Sequence, residues 1–188
     1  MSLGEVRPDV TGLVRDAQAG STAAFSELVR LHQDEVFTLA YRLTGDAFTA
    51  ADVAQEAFVR AWRAVGRFRA DARFSTWMHR ITVNAAWSER SRQRRRRAES
   101  IDDLVHEPAA GGPSTERQAV DAVFGRSLAR ALLSLPLTLR AVVVLKDVHG
   151  WSHGEIAVDL GISVTASKVR LHRARLLLRD RIDREDVS

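Results

Sequence analysis

Apolar residues recur at about 3.6-residue spacing along most of this chain, and no stretch of any length alternates in the strand period of two. That rhythm restricts the fold to packed helices, an all-α class. Phe25, Leu28, Val36, Leu39 and Leu43 mark one long helix that Ser21 caps and Gly45 ends. A second runs from about Thr49 to Val65, with Val53, Ala57, Phe58 and Val65 in its apolar stripe. Gly66 to Phe74 reads as a loop, broken by Gly66, Asp71 and three Arg. A third helix starts near Ser75 and fades into Arg94-Arg95-Arg96-Arg97, and a short helix before Gly20 completes an N-terminal bundle.

The periodicity then disappears from Ala98 to about Glu116, where Pro108, Gly111, Gly112, Pro113 and Ser114 suit a flexible linker. Helices resume near Arg117, one to about Leu135 and the next, opened by Pro136, from Leu137 to Val148. Ser152 and Glu155 have capping-box spacing and open a short helix carrying Ile156, Ala157 and Leu160, which Gly161 ends. Ser163 caps a last, basic helix. The expected architecture is therefore two small helical domains, an N-terminal bundle over 1–97 and a C-terminal helix-turn-helix domain over 119–188, joined by a linker over 98–118.

Charge divides the 188 residues in the same places. Residues 1–97 carry a net +5, 98–125 a net −5 and 126–188 a net +4. Two basic lobes suit a polyanion, and the acidic strip between them either repels one or mimics it in a partner's basic channel. The chain has no Cys, which excludes disulfides, thiolate metal sites and cysteine nucleophiles. No apolar run approaches a membrane span and Met1 to Pro8 lacks the core of a signal peptide, so a cytoplasmic protein with no membrane insertion is expected. With only a few residues after Arg179, no appended sensing domain is expected.

A short helix, a turn Gly and a basic helix form the layout of a DNA-reading helix-turn-helix. Leu171, Ala174 and Leu178 make the inner stripe of the last helix, which Ser167 extends. Thr165, Ala166, Val169, Arg170 and Arg173 face away from it, small residues that admit base edges beside Arg able to grip guanine. From Ser163 to Arg179 there are five basic residues and no acidic one. In the N-terminal lobe, Asp52, Gln55, Glu56 and Arg60 share a polar helix face that Trp62 borders, either a solvated ion-pair array or a protein-binding patch. Phe68 to Trp87 interleaves aromatics with Arg and Asn84 ahead of the Arg tract, a pattern suited to unstacked bases and phosphates. Taken singly, Phe74 and Ile81 are core residues and Trp77 is as apt for the core as for the surface.

Together these segments resemble bacterial RNA polymerase sigma factors, specifically the small extracytoplasmic-function group. Asp52-Val-Ala-Gln55-Glu56-Ala-Phe58-Val-Arg60-Ala-Trp62 is similar to the family's polymerase-docking helix, and Phe74-Ser-Thr-Trp77 through Asn84 to its strand-opening, −10-reading segment. Leu135-Pro136, Arg140, Gly150 to Ala157 and Lys168 to Arg175 are similar to its −35-reading domain. The resemblance covers nearly the whole chain, with three motifs in the family's order.

It implies that Asp52, Gln55, Glu56, Phe58 and Trp62 bind core polymerase, docking on the beta-prime coiled coil, with the beta subunit also a partner. Phe68, Arg69, Asp71, Phe74, Trp77, Arg80 and Asn84 would hold the opened −10 element. Thr165, Ala166, Lys168, Val169, Arg170 and Arg173 would read the −35 element of promoter DNA. The acidic linker would lie where nascent RNA will be, and an anti-sigma factor would control the protein. The recognition helix departs from the family's Gly-Thr-Val-Lys-Ser-Arg type of start: Ser167 replaces an apolar core residue, and Val169 a small polar one that faces DNA. Val169 is expected to meet a thymine methyl or a sugar, favouring an atypical −35 sequence.

A stand-alone helix-turn-helix regulator is the alternative, but it leaves the docking helix and aromatic loop unexplained. An enzyme is disfavoured, because the chain shows no carboxylate cluster, phosphate loop or His pair at metal spacing. His32, His79, His106, His149, His153 and His172 are scattered. No catalytic residue, metal or cofactor is expected.

Overall fold

The computed structural model describes residues 9–69, 73–99 and 127–185. Among these residues there is no strand. The N-terminal lobe comprises α1 (Val10–Gln18), α2 (Thr22–Thr44), α3 (Ala47–Ala64), a 3-10 turn (Val65–Arg67) and α4 (Phe74–Glu99). Ser21 caps α2 as its sequence predicts, its Oγ accepting from the Ala24 amide at 3.2 Å. The second helix starts earlier than expected, because Asp46 caps it by accepting from the Thr49 amide at 2.7 Å. The third does not fade at Arg94: α4 carries the Arg tract on its last turns, with Arg94, Arg95 and Arg96 exposed. Leu28, Leu39, Val53, Met78 and Val83 are fully or almost fully buried where α2, α3 and α4 meet.

The C-terminal lobe comprises α5 (residues 127–133), α6 (Leu137–Val143) running into a π-helical turn (Val144–Val148), α7 (His153–Leu160) and α8 (Val164–Glu185). The expected linker and the start of the helix near Arg117 lie outside the described residues. The capping box is present, with the Ser152 amide donating to Glu155 Oε2 at 2.8 Å and the Glu155 amide to Ser152 Oγ at 3.1 Å. Leu135, Val142, Leu145 and Ile156 fill this lobe's core.

The two lobes pack on one another, which no sequence pattern signals. Arg140 is buried and reaches from α6 to donate to the Leu43 carbonyl at 2.8 Å, satisfying the end of α2. The same guanidinium donates to the carbonyls of Leu135, at 3.0 Å, and Leu133. Gly45, at φ +83°, lets the chain turn out of α2 while Leu133 of the other lobe approaches. On the same side, Arg80 of α4 lies over the ring of Trp151, 5.5 Å from its centroid, and Trp151 is buried.

Candidate docking and nucleic-acid interface

On α3, Phe48, Asp52, Gln55, Val59 and Trp62 are all exposed. Their spacing of four, three, four and three residues places them on one stripe, the seam by which a helix packs along another helix. Phe48 is 85% exposed, a large apolar side chain with no cover on this face. Trp62 is anchored at the other end by Phe25, with ring centroids 5.0 Å apart. Glu56 flanks the seam and accepts from Arg60 Nε at 2.7 Å, and this bond holds its carboxyl below the usual range. Arg60 also donates to Ser88 of α4, so it leaves the seam for the α3–α4 side. Phe58 is half-buried and packs on the core, on the inner side of α3.

The aromatic loop is fastened from α1: Gln18 Nε2 donates to the Val65 and Phe68 carbonyls at 3.2 and 2.8 Å. Phe68, Phe74 and Trp77 stack on each other, with centroid separations of 4.8 to 5.9 Å. Phe74 is buried and sits against His32, so it supports the cluster and is not a base-stacking surface here. Phe68 and Trp77 keep part of their rings at the surface, and Arg69 is exposed. Asp71 lies outside the described residues. Asn84 is exposed on α4 at the mouth of a cleft of about 500 Å³, where Arg60, Arg92 and Arg95 also point. Asp159 and Leu160 of α7 form the far wall. The cleft thus joins an amide able to pair with a base edge to Arg95 and to Arg60 and Arg92, the last two ion-paired with Glu56 and Glu89.

Arg80 is not free to join them. Its Nε lies 4.0 Å from Asp159 Oδ1, too long for a hydrogen bond, and its guanidinium covers Trp151. Burial pushes the Asp159 carboxyl up to about 6 against the opposing pull of Arg80.

In the helix-turn-helix, Gly161 at φ +61° makes the turn between α7 and α8. Thr165, Lys168, Val169 and Arg173 are exposed, and Ala166 and Arg170 half-buried, along the outward side of α8. Leu171 and Ala174 are buried beneath them. Ser167 is wholly buried in the place of an apolar residue, and its hydroxyl lies 2.9 Å from His153 Nδ1, which meets its hydrogen-bonding need. Arg175 is held by Asp147 through two bonds of 2.6 and 3.1 Å.

Three side chains distant in sequence meet beside the lobe contact. His79 is buried and its Nε2 donates to Glu35 Oε1 at 2.8 Å, while the His149 ring lies 4.2 Å from the His79 ring. Burial pushes His79 down despite Glu35, and pushes His149 down to about 4, with His79 and Arg42 adding to the effect. Helix packing closes the 70-residue separation between His79 and His149, a convergence that no local spacing in the sequence reveals.

The match to known families follows these elements. The family model for Sigma-70 region 2 matches residues 28–97 and that for Sigma-70 region 4 residues 125–178. The ECF RNA polymerase sigma factor SigE of Mycolicibacterium smegmatis is 38% identical over 179 residues, covering 94% of this chain and 69% of its own. This chain belongs to the extracytoplasmic-function sigma factors. SigW of Bacillus subtilis, another of them, is 30% identical over 179 residues, covering 90% of this chain and 94% of its own. Among solved structures, CnrH in complex with the cytosolic domain of CnrY is 31% identical with a TM-score of 0.60, covering 91% of this chain and 95% of that one. The chain is thus an RNA polymerase sigma factor, and among its described residues no helix is long and apolar enough to cross a membrane.

In this sigma factor, sequence reading missed Phe48 and Val59. Both obey the same seam spacing as Asp52 and Gln55, so the signal was present but hidden by their apolar character, which ordinarily marks core. Of the cleft residues, Arg95 was legible only as part of the tract Arg94 to Arg97, and Arg92 was not singled out.

Proposed function

We propose that this sigma factor docks on core polymerase through the α3 seam and contributes no chemistry of its own, the phosphodiester bond being made by polymerase. The carrying observation is the seam itself: Phe48, Val59 and Trp62 are exposed in line with Asp52 and Gln55. Such a face fits the beta-prime coiled coil, with apolar contacts between polar ones that fix register. Glu56 supports the seam from its flank, and Phe58 acts from beneath by holding α3 in place.

Residues 1–97 then serve as the docking and −10 domain, 98–118 as an acidic linker and 119–188 as the −35 domain. Asn84, Phe68, Arg69, Asp71, Trp77 and Arg80 receive the opened −10 strand, with Phe74 as support. Thr165, Ala166, Lys168, Val169, Arg170 and Arg173 meet the −35 major groove. Val169, 44% exposed, would meet a thymine methyl or a sugar. Binding of an anti-sigma factor is part of the reading; CnrH, similar over 91% of this chain, is itself solved in complex with a partner, the cytosolic domain of CnrY. The protein acts in the cytoplasm, where polymerase is.

Run-off transcription with core polymerase on a pool of genomic fragments tests this. Defined start sites that depend on the factor are expected, and Asp52→Ala with Gln55→Ala should weaken core binding without lowering the melting temperature. An active polymerase that gains no start site, or tight binding to duplex operators without polymerase, overturns it. Val169→Ser should change the preferred sequences in a randomised −35 library.

A further inference from the structure

The geometry points to a divalent transition-metal site formed by Glu35 of α2, His79 of α4 and His149 of the C-terminal lobe, which clips the two lobes together. One ligand atom from each lies within 4.8 Å of the others. Two imidazoles and a carboxylate are a donor set for Zn2+ or its neighbours, with water free to take a fourth position. Neighbouring ligand atoms of a tetrahedral zinc site sit roughly 3.4 Å apart, given bonds of about 2.1 Å. The 2.8 Å pair must open by about 0.6 Å and a pair at the 4.8 Å limit close by about 1.4 Å, movements within side-chain rotation.

The second observation is His149 Nε2, which is buried at the atom and has no hydrogen-bond partner. A buried ring nitrogen left unmatched is costly, and a metal ion would satisfy it. The ion would also replace the proton that His79 Nε2 now donates to Glu35, the imidazole staying neutral with its proton on Nδ1. Arg42 stands near His149 and opposes a cation, whereas Glu35 favours one. Two ligands come from the N-terminal lobe and one from the other, so the ion binds the packed lobes better than parted ones and shifts the balance towards them. A consequence for promoter use rests on the proposed function; binding and lobe packing do not.

The test is calorimetric titration of the full-length chain with ZnCl2, followed by Co2+ absorption spectroscopy and amide hydrogen exchange. One ion per chain is expected, with the intense visible bands of tetrahedral Co2+ and slower exchange at Val144–Trp151 and α4 in the presence of Zn2+. His149→Gln should weaken binding about tenfold or more and abolish the exchange effect. His79 is buried and its replacement risks the fold, so exposed Glu35→Gln is the companion variant and should weaken binding in the same sense. Absence of Zn2+ binding overturns the proposal, as does binding that survives His149→Gln unchanged. Loss of binding only in Glu35→Gln also overturns it, because the ion then lies within one lobe. Since none of these readouts uses transcription, a failed run-off assay leaves the outcome separate.

Discussion

Arg140 shows how much one side chain can join. It is buried, and its guanidinium donates to the Leu43 carbonyl of one lobe and to the Leu133 and Leu135 carbonyls of the other. Burial lowers its pKa to about 10, still far above neutrality, so it remains a cation held by carbonyl dipoles. Arg140→Met keeps much of the volume but orphans these acceptors, and should destabilise the chain by about 2–4 kcal/mol in urea unfolding. Asp159 gives the opposite expectation. Its folded carboxyl sits near 6 against an ordinary 3.8, so the folded state holds the proton more tightly and loses stability as pH rises through this window. Asp159→Asn should therefore melt higher than the parent at pH 7.5, with the gain shrinking as pH falls from 6 towards 4. A gain that grows on acidification would contradict the assignment of burial as the dominant cause.

At the scale of elements, most boundaries follow from local chemistry. Ser21, Asp46 and Ser152 accept from free amides and open helices, and Gly45 and Gly161 close them in the left-handed region. Gly45 carries a double constraint, since a Cβ there would lie 3.1 Å from Leu133 as well as at φ +83°. Gly45→Ala should cost about 1–2 kcal/mol in thermal or urea unfolding. The stripe of α2 was legible because burial on one side imposes a period. The start of α3 was not: Thr49 and Asp46 both suit a cap, and the bond to the Thr49 amide decides between them. The seam of α3 was half legible, its polar members read correctly and its apolar members indistinguishable from core without knowing which side faces outward. Phe74 was read as both core and site, and the ring cluster places it in the core.

At the scale of the molecule, the lobe packing sets the α4 cleft against α7 of the helix-turn-helix, so the proposed −10 and −35 elements belong to one packed body. Promoter elements at −10 and −35 are separated by roughly 85 Å of duplex at 3.4 Å per base pair. A compact body of about 150 residues, the size of the described part, has a radius of gyration of only about 15 Å, so the proposed elements reach both sites together only if the lobes part. Separation frees Arg80 from Trp151 and Asp159 and opens the far wall of the Asn84 cleft. Amide exchange at α7 and the Arg80 region of α4 should accordingly quicken when the factor joins core polymerase on promoter DNA. Unchanged protection there would mean that the lobes stay joined, and that the two elements are not read at once.

The sequence by itself determined most of the helices and their caps, the helix-turn-helix and, through three motifs in order, the family, because each cap or motif rests on residues within a few positions of one another. Only the tertiary structure decided that Arg140 ties the lobes, that Arg80 is held away from the cleft, and that Glu35, His79 and His149 converge. These depend on the angle and depth at which helices pack, which many side chains fix jointly and no local spacing encodes.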